Sequence, residues 1–378
     1  MSTNSTFSKD ELKRYSRHIL LPDFGKEGQT KLKKSKVLVV GAGGLGSPLL
    51  SYLTAAGVGT IGIIDYDLVE LSNLQRQLLF TENDIGKPKL HVAVKKLKEL
   101  NPHVNFVLYD DKLTSDNALE IIKEYDLVAD GSDNFPTRYL VNDACVILDK
   151  PNVYASIYQF EGQVSVFNFF NNVGERGPNY RDFYPTPPPP DTVPNCAEGG
   201  VLGVLAGIVG SLQANEVIKL LTGIGTTLSG KLFIIDTLTL ESRTIKLPKT
   251  TNAEEIRELI DYEEFCGINN SSPFDVNEVN VQEFDQMLKN GNDIELVDVR
   301  TEFEHHIENL GGKLIPIENL VNRIDEISRD KKVIVYCKIG VRSTEAILHL
   351  QNIYQFKNLY NLTGGIEAWK KEMGEALT

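Results

Sequence analysis

Residues 36–47 read KVLVVGAGGLGS. An aliphatic run ends at Gly41, and Gly41, Gly43 and Gly46 follow in the spacing G-x-G-x-x-G, just where a helical pattern opens near Gly44. Strand, glycine loop and helix in that order make a nucleotide-binding turn, because glycine lets backbone amides approach a phosphate and a helix N-terminus favours negative charge. The next strand-like run, TIGIID, closes on Asp65, 19 residues beyond Gly46. An acid there can accept from a ribose hydroxyl. The stretch therefore predicts an α/β nucleotide-binding domain, with NAD or FAD competing against ATP as the ligand.

Working outward, strand-like and helical patterns alternate through the first 170 residues: KVLVV, TIGIID, a helix over KPKLHVAVKKLKEL, then VNFVLYD and DLVAD. This order predicts a parallel sheet flanked by helices. Ser8 and Glu11 form a capping-box pattern before the first helix. After Val164 the rhythm changes to VSVFNF, a proline-rich loop (PTPPPPDTVPNC), a glycine-rich helix from Gly199, and the runs KLFIID and ESRTIKL. Residues 1–250 are thus read as one Rossmann-like domain with a mixed sheet, 251–278 as a polar linker containing GINNSSP, and 279–378 as a smaller α/β domain. The second domain carries IELVDVR, KKVIVYC, a helix from Ser343, NLYNL and GGIEAWKK.

The 378-residue chain has a net charge of −13, which disfavours nucleic acid and anionic membranes as partners. Its N-terminus has no basic segment followed by an apolar core, so a cytoplasmic location is expected. Four cysteines, at 145, 196, 266 and 337, lie too far apart in sequence to suggest a disulfide framework and suit a reducing compartment. From Gly199 the sequence is apolar with glycines at 199, 203 and 207, but polar and charged residues arrive after roughly 14 positions, short of the about 20 a spanning helix needs. Close helix packing in a soluble core or dimer is the expectation.

SNLQRQ at 72–77 supplies Asn73 and Arg76, GKPK supplies Lys87 and Lys89, and DGSDN at 130–134 supplies Asp133 and Asn134 after a strand. Cations neutralise polyphosphate charge and a carboxylate can hold Mg²⁺. A nicotinamide slot would be apolar, so the collection favours ATP, with Lys87 read as a surface charge. RYSRHILLPDFGKEGQTKL, GAGGLGSP, DYDLVELSNLQRQLLF and DGSDNFPTR resemble the ubiquitin-activating superfamily over residues 7–248, nearest the MoeB- and ThiF-type adenylyltransferases that activate sulfur carriers for molybdopterin and thiamine synthesis. The resemblance implies that Gly44 and Asp65 hold adenosine, that Asn73, Arg76 and Lys89 hold phosphates, and that Asp133 binds Mg²⁺. It also implies that Arg17 reaches the nucleotide of a neighbouring subunit, hence a homodimer. Many relatives hold structural zinc with two C-x-x-C pairs. Here Asn179, Asp182 and Glu263 stand at three of those positions and only Cys266 remains, so no structural zinc is expected.

Cys196 precedes the glycine-rich helix, where a helix N-terminus favours thiolate, and the resemblance gives it a part in acyl or sulfur transfer. Cys145, inside the helical run NDACVIL, reads as a buried apolar residue. Cys337 ends a strand and opens the loop CKIGVR, whose converging amides and Arg342 predict an accessible, anionic sulfur. Residues 280–374 resemble the rhodanese, or sulfurtransferase, domain through DVRTEFEHHI, CKIGVRS and LTGGIEAWKKE, with His305 where a glycine is common. That resemblance makes Cys337 a persulfide carrier and Arg342 a group that steadies the sulfur or its loop, while Asp298, Arg300 and Trp369 are read as structural.

In series, the two domains imply ATP- and Mg²⁺-dependent adenylation of the C-terminal glycine of a ubiquitin-fold carrier of the MoaD or ThiS kind. Sulfur transfer from Cys337, supplied by a persulfide donor such as a cysteine desulfurase, would follow and give a thiocarboxylate. The alternatives are an NAD- or FAD-dependent oxidoreductase with a fused rhodanese module, and a passive rhodanese module that docks the carrier.

Overall fold

The structure is a computed structural model that describes residues 7–171, 173–188, 200–250, 256–267 and 276–374. Two compact units, Met1–Asn269 and Asn270–Thr378, divide the chain.

The first unit is built on one eight-stranded sheet of order β3-β2-β1-β4-β5-β6-β7-β8. Its strands are β1 (Lys36–Val40), β2 (Thr60–Ile64), β3 (Asn105–Tyr109), β4 (Leu127–Asp130), β5 (Asn152–Tyr158), β6 (Glu161–Phe167), β7 (Lys231–Asp236) and β8 (Ser242–Lys246). In β1 four consecutive residues, Val37 to Val40, are buried, as expected of a parallel strand covered on both faces. The pairs among β3, β2, β1, β4 and β5 are parallel. β5 to β8 pair antiparallel, so the sheet is mixed. The parallel order read for the first 170 residues stops at β5. Only Gln159 and Phe160 separate β5 from β6, too few residues for a crossover, so the chain turns back as a hairpin. β5 itself, NVYASIY, is a strand that the alternation did not mark.

β1 has β2 on one side and β4 on the other, so strand order reverses there and a crevice opens at the strand C-termini. The glycine loop leaves β1 and the Gly131–Asn134 loop leaves β4 at this point. Gly46 begins helix Gly46–Ala56. A Cβ on Gly46 would lie 2.1 Å from the Gly41 carbonyl oxygen, so only glycine allows the turn to close this tightly.

Helix Gly203–Thr222 is long and apolar enough to cross a membrane by length and composition. The reading that its uncharged run ends too soon is therefore corrected, and tertiary packing is what identifies it as a core helix. Leu205, Ala206, Val209 and Val217 are buried. The buried Gln213 Nε2 donates to the carbonyls of Asp130 at 2.7 Å and Val153 at 2.8 Å, and the buried Glu216 accepts from Leu228 N at 2.8 Å. Close packing uses Gly203, whose Cβ would sit 2.1 Å from the Gln75 carbonyl, and Gly210, whose Cβ would sit 2.5 Å from that of Leu45. Gly207 faces open space, and Gly199 lies outside the described residues.

The stretch read as a linker, 251–278, contributes to both units. Helix Tyr262–Phe265 buries Tyr262 in the first. In the second, β9 (Asn277–Val279) joins β10 (Ile294–Asp298), β11 (Lys313–Leu314), β12 (Lys332–Tyr336) and β13 (Leu359–Leu362) in an all-parallel sheet of order β11-β10-β12-β13-β9. At the end of β10 the fully buried Asp298 carboxylate receives Arg300 Nη2 at 2.7 Å and His305 Nδ1 at 2.9 Å. His305, unexpected at its position, thus completes a buried clasp. Trp369 is 3% exposed and meets the Phe284 ring edge-on at 5.4 Å.

Candidate active site

In the first unit a cavity occupies the crevice between β1 and β4. Gly41, Gly43, Gly44, Asp65, Arg76, Lys89, Asp133 and Asn134 all line it. Eight of the sequence-predicted residues, scattered over nearly 100 positions, are therefore neighbours. Asp65 accepts from the amides of Ala42 at 2.7 Å and Asp67 at 2.9 Å, which locks it against the glycine loop. Burial pushes its carboxyl pKa up, and these two amides and Lys89 only partly offset that. Lys89 starts helix Lys89–Leu100, is 5% exposed, and its Nζ bonds Asp67 Oδ2 at 2.8 Å. Arg76 Nη1 donates to the Ser72 carbonyl at 3.0 Å. Asn134 caps helix Phe135–Ile147 by accepting from Thr137 N at 3.0 Å, which leaves the exposed Asp133 at the rim.

Three predicted residues do not line it: Gly46 closes the turn against the Gly41 carbonyl, and Asn73 and Arg17 are elsewhere. Asn73 is not in the cavity wall: its Oδ1 accepts from Glu70 N at 3.2 Å and closes the short turn Leu71–Asn73. Arg17 sits exposed on helix Ser16–Ile19, away from the cavity of its own chain. Lys87 bonds the Asn83 carbonyl at 2.6 Å on the surface, as read. The motif reading missed Lys112 and Arg138, which also line the cavity. Arg138 Nη2 holds the Ser132 carbonyl at 3.2 Å, and Lys112 Nζ meets Glu263 Oε1 at 2.5 Å. Arg138 closes the quoted motif DGSDNFPTR, so a signal was present; Lys112 follows β3 with none.

The four positions that hold zinc in many relatives do not fit a metal. Asn179 Oδ1 accepts from Arg181 N at 2.9 Å, Asp182 Oδ2 accepts from Asn179 N at 2.8 Å, and Glu263 is turned to Lys112. Burial pushes the Cys266 thiol up to about 11 despite nearby Arg181. Instead, Asp143 receives Arg181 Nε at 2.9 Å, Arg181 Nη2 at 2.7 Å and Tyr262 Oη at 2.8 Å. This polar clasp fastens helix Tyr262–Phe265 to helix Phe135–Ile147. Among the described residues no group of three or more His, Cys, Asp or Glu is arranged to hold a metal. Cys145 is fully buried, and burial raises its thiol pKa far above the ordinary range. Cys196 lies outside the described residues.

In the second unit Cys337 follows β12. Gly340 N–H points at its Sγ from 3.1 Å, and Ser343 Oγ lies 3.4 Å away. Gly340, at φ +96°, makes the bend that aims this amide inward, a left-handed conformation that favours glycine. The expectation of an accessible sulfur is corrected: Cys337 is 1% exposed. The loop is pinned over it because Ile366 N bonds the Cys337 carbonyl at 3.0 Å and Glu367 N bonds that of Lys338 at 3.1 Å. Arg342 forms a two-pronged pair with Glu304, Nη1 to Oε2 at 2.9 Å and Nη2 to Oε1 at 2.6 Å. Burial raises the Glu304 carboxyl pKa, but Arg342 and Thr301 outweigh it and hold the group at about 2. Of the two roles read for Arg342, this contact supports steadying the loop.

A sequence model of the ThiF family matches residues 15–256, and one of the rhodanese-like domain matches residues 280–372. Over 376 residues the chain is 46% identical to a probable adenylyltransferase/sulfurtransferase MoeZ of Mycobacterium tuberculosis, covering 98% of this chain and 95% of that protein. It is 54% identical over 268 residues to a sulfur carrier protein adenylyltransferase of Thermus thermophilus, covering 69% and 99%. With the adenylyltransferase and sulfurtransferase MOCS3 of Aedes aegypti it shares 42% over 388 residues, covering 96% and 87%. A crystal structure of E. coli MccB with ATP shares the fold of 65% of this chain and 73% of that one, at TM-score 0.53 and 24% identity. With a charged crevice on a glycine loop, a cysteine in an amide-lined loop, and relatives alike along nearly the whole length, this chain belongs to the ThiF-family adenylyltransferases that carry a rhodanese-like domain, the adenylyltransferase/sulfurtransferases.

Proposed function

We propose that the protein uses ATP to adenylate the C-terminal carboxylate of a ubiquitin-fold sulfur carrier and then replaces AMP with sulfur carried on Cys337, giving a thiocarboxylate. A carboxylate is a poor electrophile, and joining it to the α-phosphate supplies AMP as a leaving group. Catalysis of such a step is chiefly positioning and charge neutralisation. The observation that carries this reading is the cavity wall, which gathers Arg76, Lys89 and Asp133 around the glycine loop. That lining suits a polyphosphate better than a nicotinamide or flavin ring.

Asp65 and Gly44 would receive the adenosine end, and Arg76 and Lys89 the phosphates. Asp133 would hold Mg²⁺, which neutralises phosphate charge; a single carboxylate suffices because Mg²⁺ takes most of its remaining ligands from phosphates and water. Asn73 acts on the phosphates only through the turn that carries Arg76. Arg17, exposed and away from its own chain's cavity, serves a partner subunit in a homodimer. A mixture of Arg17→Ala and Asp133→Ala chains should then regain activity that neither variant has alone.

The sulfur on Cys337, received from a persulfide donor such as a cysteine desulfurase, attacks the acyl adenylate and expels AMP. Cys196 attacks the Cys337 sulfur of the acyl disulfide so formed, releasing the thiocarboxylate and leaving a Cys196–Cys337 disulfide that an external thiol reductant reopens, or it carries an acyl intermediate. Burial of Cys337 requires the loop to open, or the outer sulfur of the persulfide to stand clear of it. Mass spectrometry of candidate carriers after incubation with ATP, Mg²⁺ and a persulfide source should find the carboxyl end converted to a thiocarboxylate. The absence of ATP–pyrophosphate exchange with every small ubiquitin-fold carrier would overturn the proposal.

A further inference from the structure

The loop after β3 brings Lys112 and Leu113 into the cavity wall beside Ile64, Asp65 and Tyr66. Asp65 and Asp111 line the wall here too, and two carboxylates repel a phosphate, so a neutral base or ribose is what this corner accepts. Lys112 is a cation, but its ammonium is already engaged. Nζ meets Glu263 Oε1 at 2.5 Å, and that carboxylate pushes the Lys112 pKa up. Both partners stand on fixed backbone. The Lys112 carbonyl accepts from Asn117 Nδ2 at 2.9 Å. Glu263 N donates at 2.9 Å to Asp261, which caps helix Tyr262–Phe265, and Ser115 Oγ donates to the Ile260 carbonyl at 2.7 Å. Glu263 thus holds a residue of the cavity wall from within the stretch 251–278, beyond every motif of the first domain.

We propose that Glu263 is a positioning residue for the purine base of the nucleotide. By holding the Lys112 ammonium, it lays the methylene stem of Lys112 along the wall with Ile64, Tyr66 and Leu113, as an apolar surface against which the base packs. A lysine readily divides itself in this way, with its stem on apolar surface and its head at a polar partner. The side chains of the pair are 50% and 42% exposed, so the pair adds little to stability, and what it governs is where the stem lies. Without Glu263 the head is released, and the stem has to be ordered each time a nucleotide binds. The proposal rests on the reading of the cavity as an ATP site, and it gives the stretch between the domains a part in that site.

The test measures the dissociation constant of Mg·ATP with the full chain by titration calorimetry, which needs neither carrier nor persulfide. Lys112→Ala removes stem and head together and should weaken binding on the order of tenfold, the worth of roughly two packed methylene groups. Lys112→Met, which keeps an apolar chain without the charge, should bind within about twofold of the unmodified protein. Glu263→Ala should weaken binding about fivefold, the cost of ordering one long side chain. Glu263→Gln, which keeps an acceptor for the ammonium, should lose less. On the Lys112→Met background, Glu263→Ala should have no effect. Equal losses in Lys112→Met and Lys112→Ala would make the ammonium itself the group that meets the ligand and would overturn the proposal. So would unchanged binding in Lys112→Ala, unchanged or tighter binding in Glu263→Ala, or a Glu263→Ala loss that persists on the Lys112→Met background. An unmodified chain that binds no Mg·ATP would overturn the ATP reading itself, and this proposal with it.

Discussion

The cavity of the first unit and the loop of the second solve opposite problems. The cavity draws its wall from loops between Gly41 and Arg138, and much of its charge, including Asp133, Lys112 and Asp67, remains exposed to water. The sulfur loop is contained in Cys337 to Ser343, is built chiefly of backbone, and leaves Cys337 1% exposed. A large, highly charged ligand needs many side chains converging on an open crevice. A single sulfur atom needs few groups, and its reactivity is governed by which of them donates and which accepts.

If the two regions divide the chemistry, they should separate under mutation. Cys337→Ala should abolish thiocarboxylate formation in a mass-spectrometric assay and leave ATP–pyrophosphate exchange intact; loss of both would break the division. Lys89→Ala removes a cation from the cavity wall and should slow exchange on the order of a hundredfold, the loss seen when one preorganised donor is removed. Alkylation of Cys337 should not respond to it.

Tyr262→Phe tests whether the polar clasp fastens the chain behind the cavity. It takes one buried hydrogen bond from the Asp143 carboxylate, worth about 2 kcal/mol, which calorimetry should register as a melting temperature lower by about 4–8 °C. A chelator should leave the melting temperature of the unmodified protein where it is, and stoichiometric zinc in the purified chain would contradict the clasp.

The smallest effect is expected at the tether. Glu304→Gln weakens the partly exposed pair with Arg342 by about 1 kcal/mol and should raise Cys337 alkylation about fivefold, equally at every pH. Acid should release the same pair in the unmodified chain. The Glu304 carboxyl is held at about 2 against an ordinary 4.5, so the contribution of the pair is complete above the ordinary value and lost as pH falls toward 2. Amide exchange of residues 338–342, corrected for the intrinsic pH dependence, would follow that loss. Protection unchanged down to pH 2 would remove the tether from the comparison.

What could be read in advance follows from how local each feature is. The glycine turn, Asp65, Arg76, Lys89, Asp133 and the loop after Cys337 each belong to a short motif whose spacing is its mechanism. Strand β5 escaped because NVYASIY is buried along most of its length and lacks a period of two. Asn73 stands one turn from Arg76, and nothing in SNLQRQ says that its side chain closes the turn rather than faces the ligand. Lys112 has no motif, and it enters the cavity wall only because β3 ends near the crevice.

The amino-acid order by itself determined the two α/β units, the glycine cradle, the cysteine loop and the family, because each rests on backbone conformation and side-chain type within a few residues. Only the tertiary structure decided that Gln213 and Glu216 place their polar side chains in the buried face of helix Gly203–Thr222, that Asp143, Arg181 and Tyr262 form a polar clasp, and that Cys337 is sealed beneath its loop. Burial and hydrogen-bond polarity are properties of neighbours in space, and the chain brings those neighbours from remote positions only when it folds.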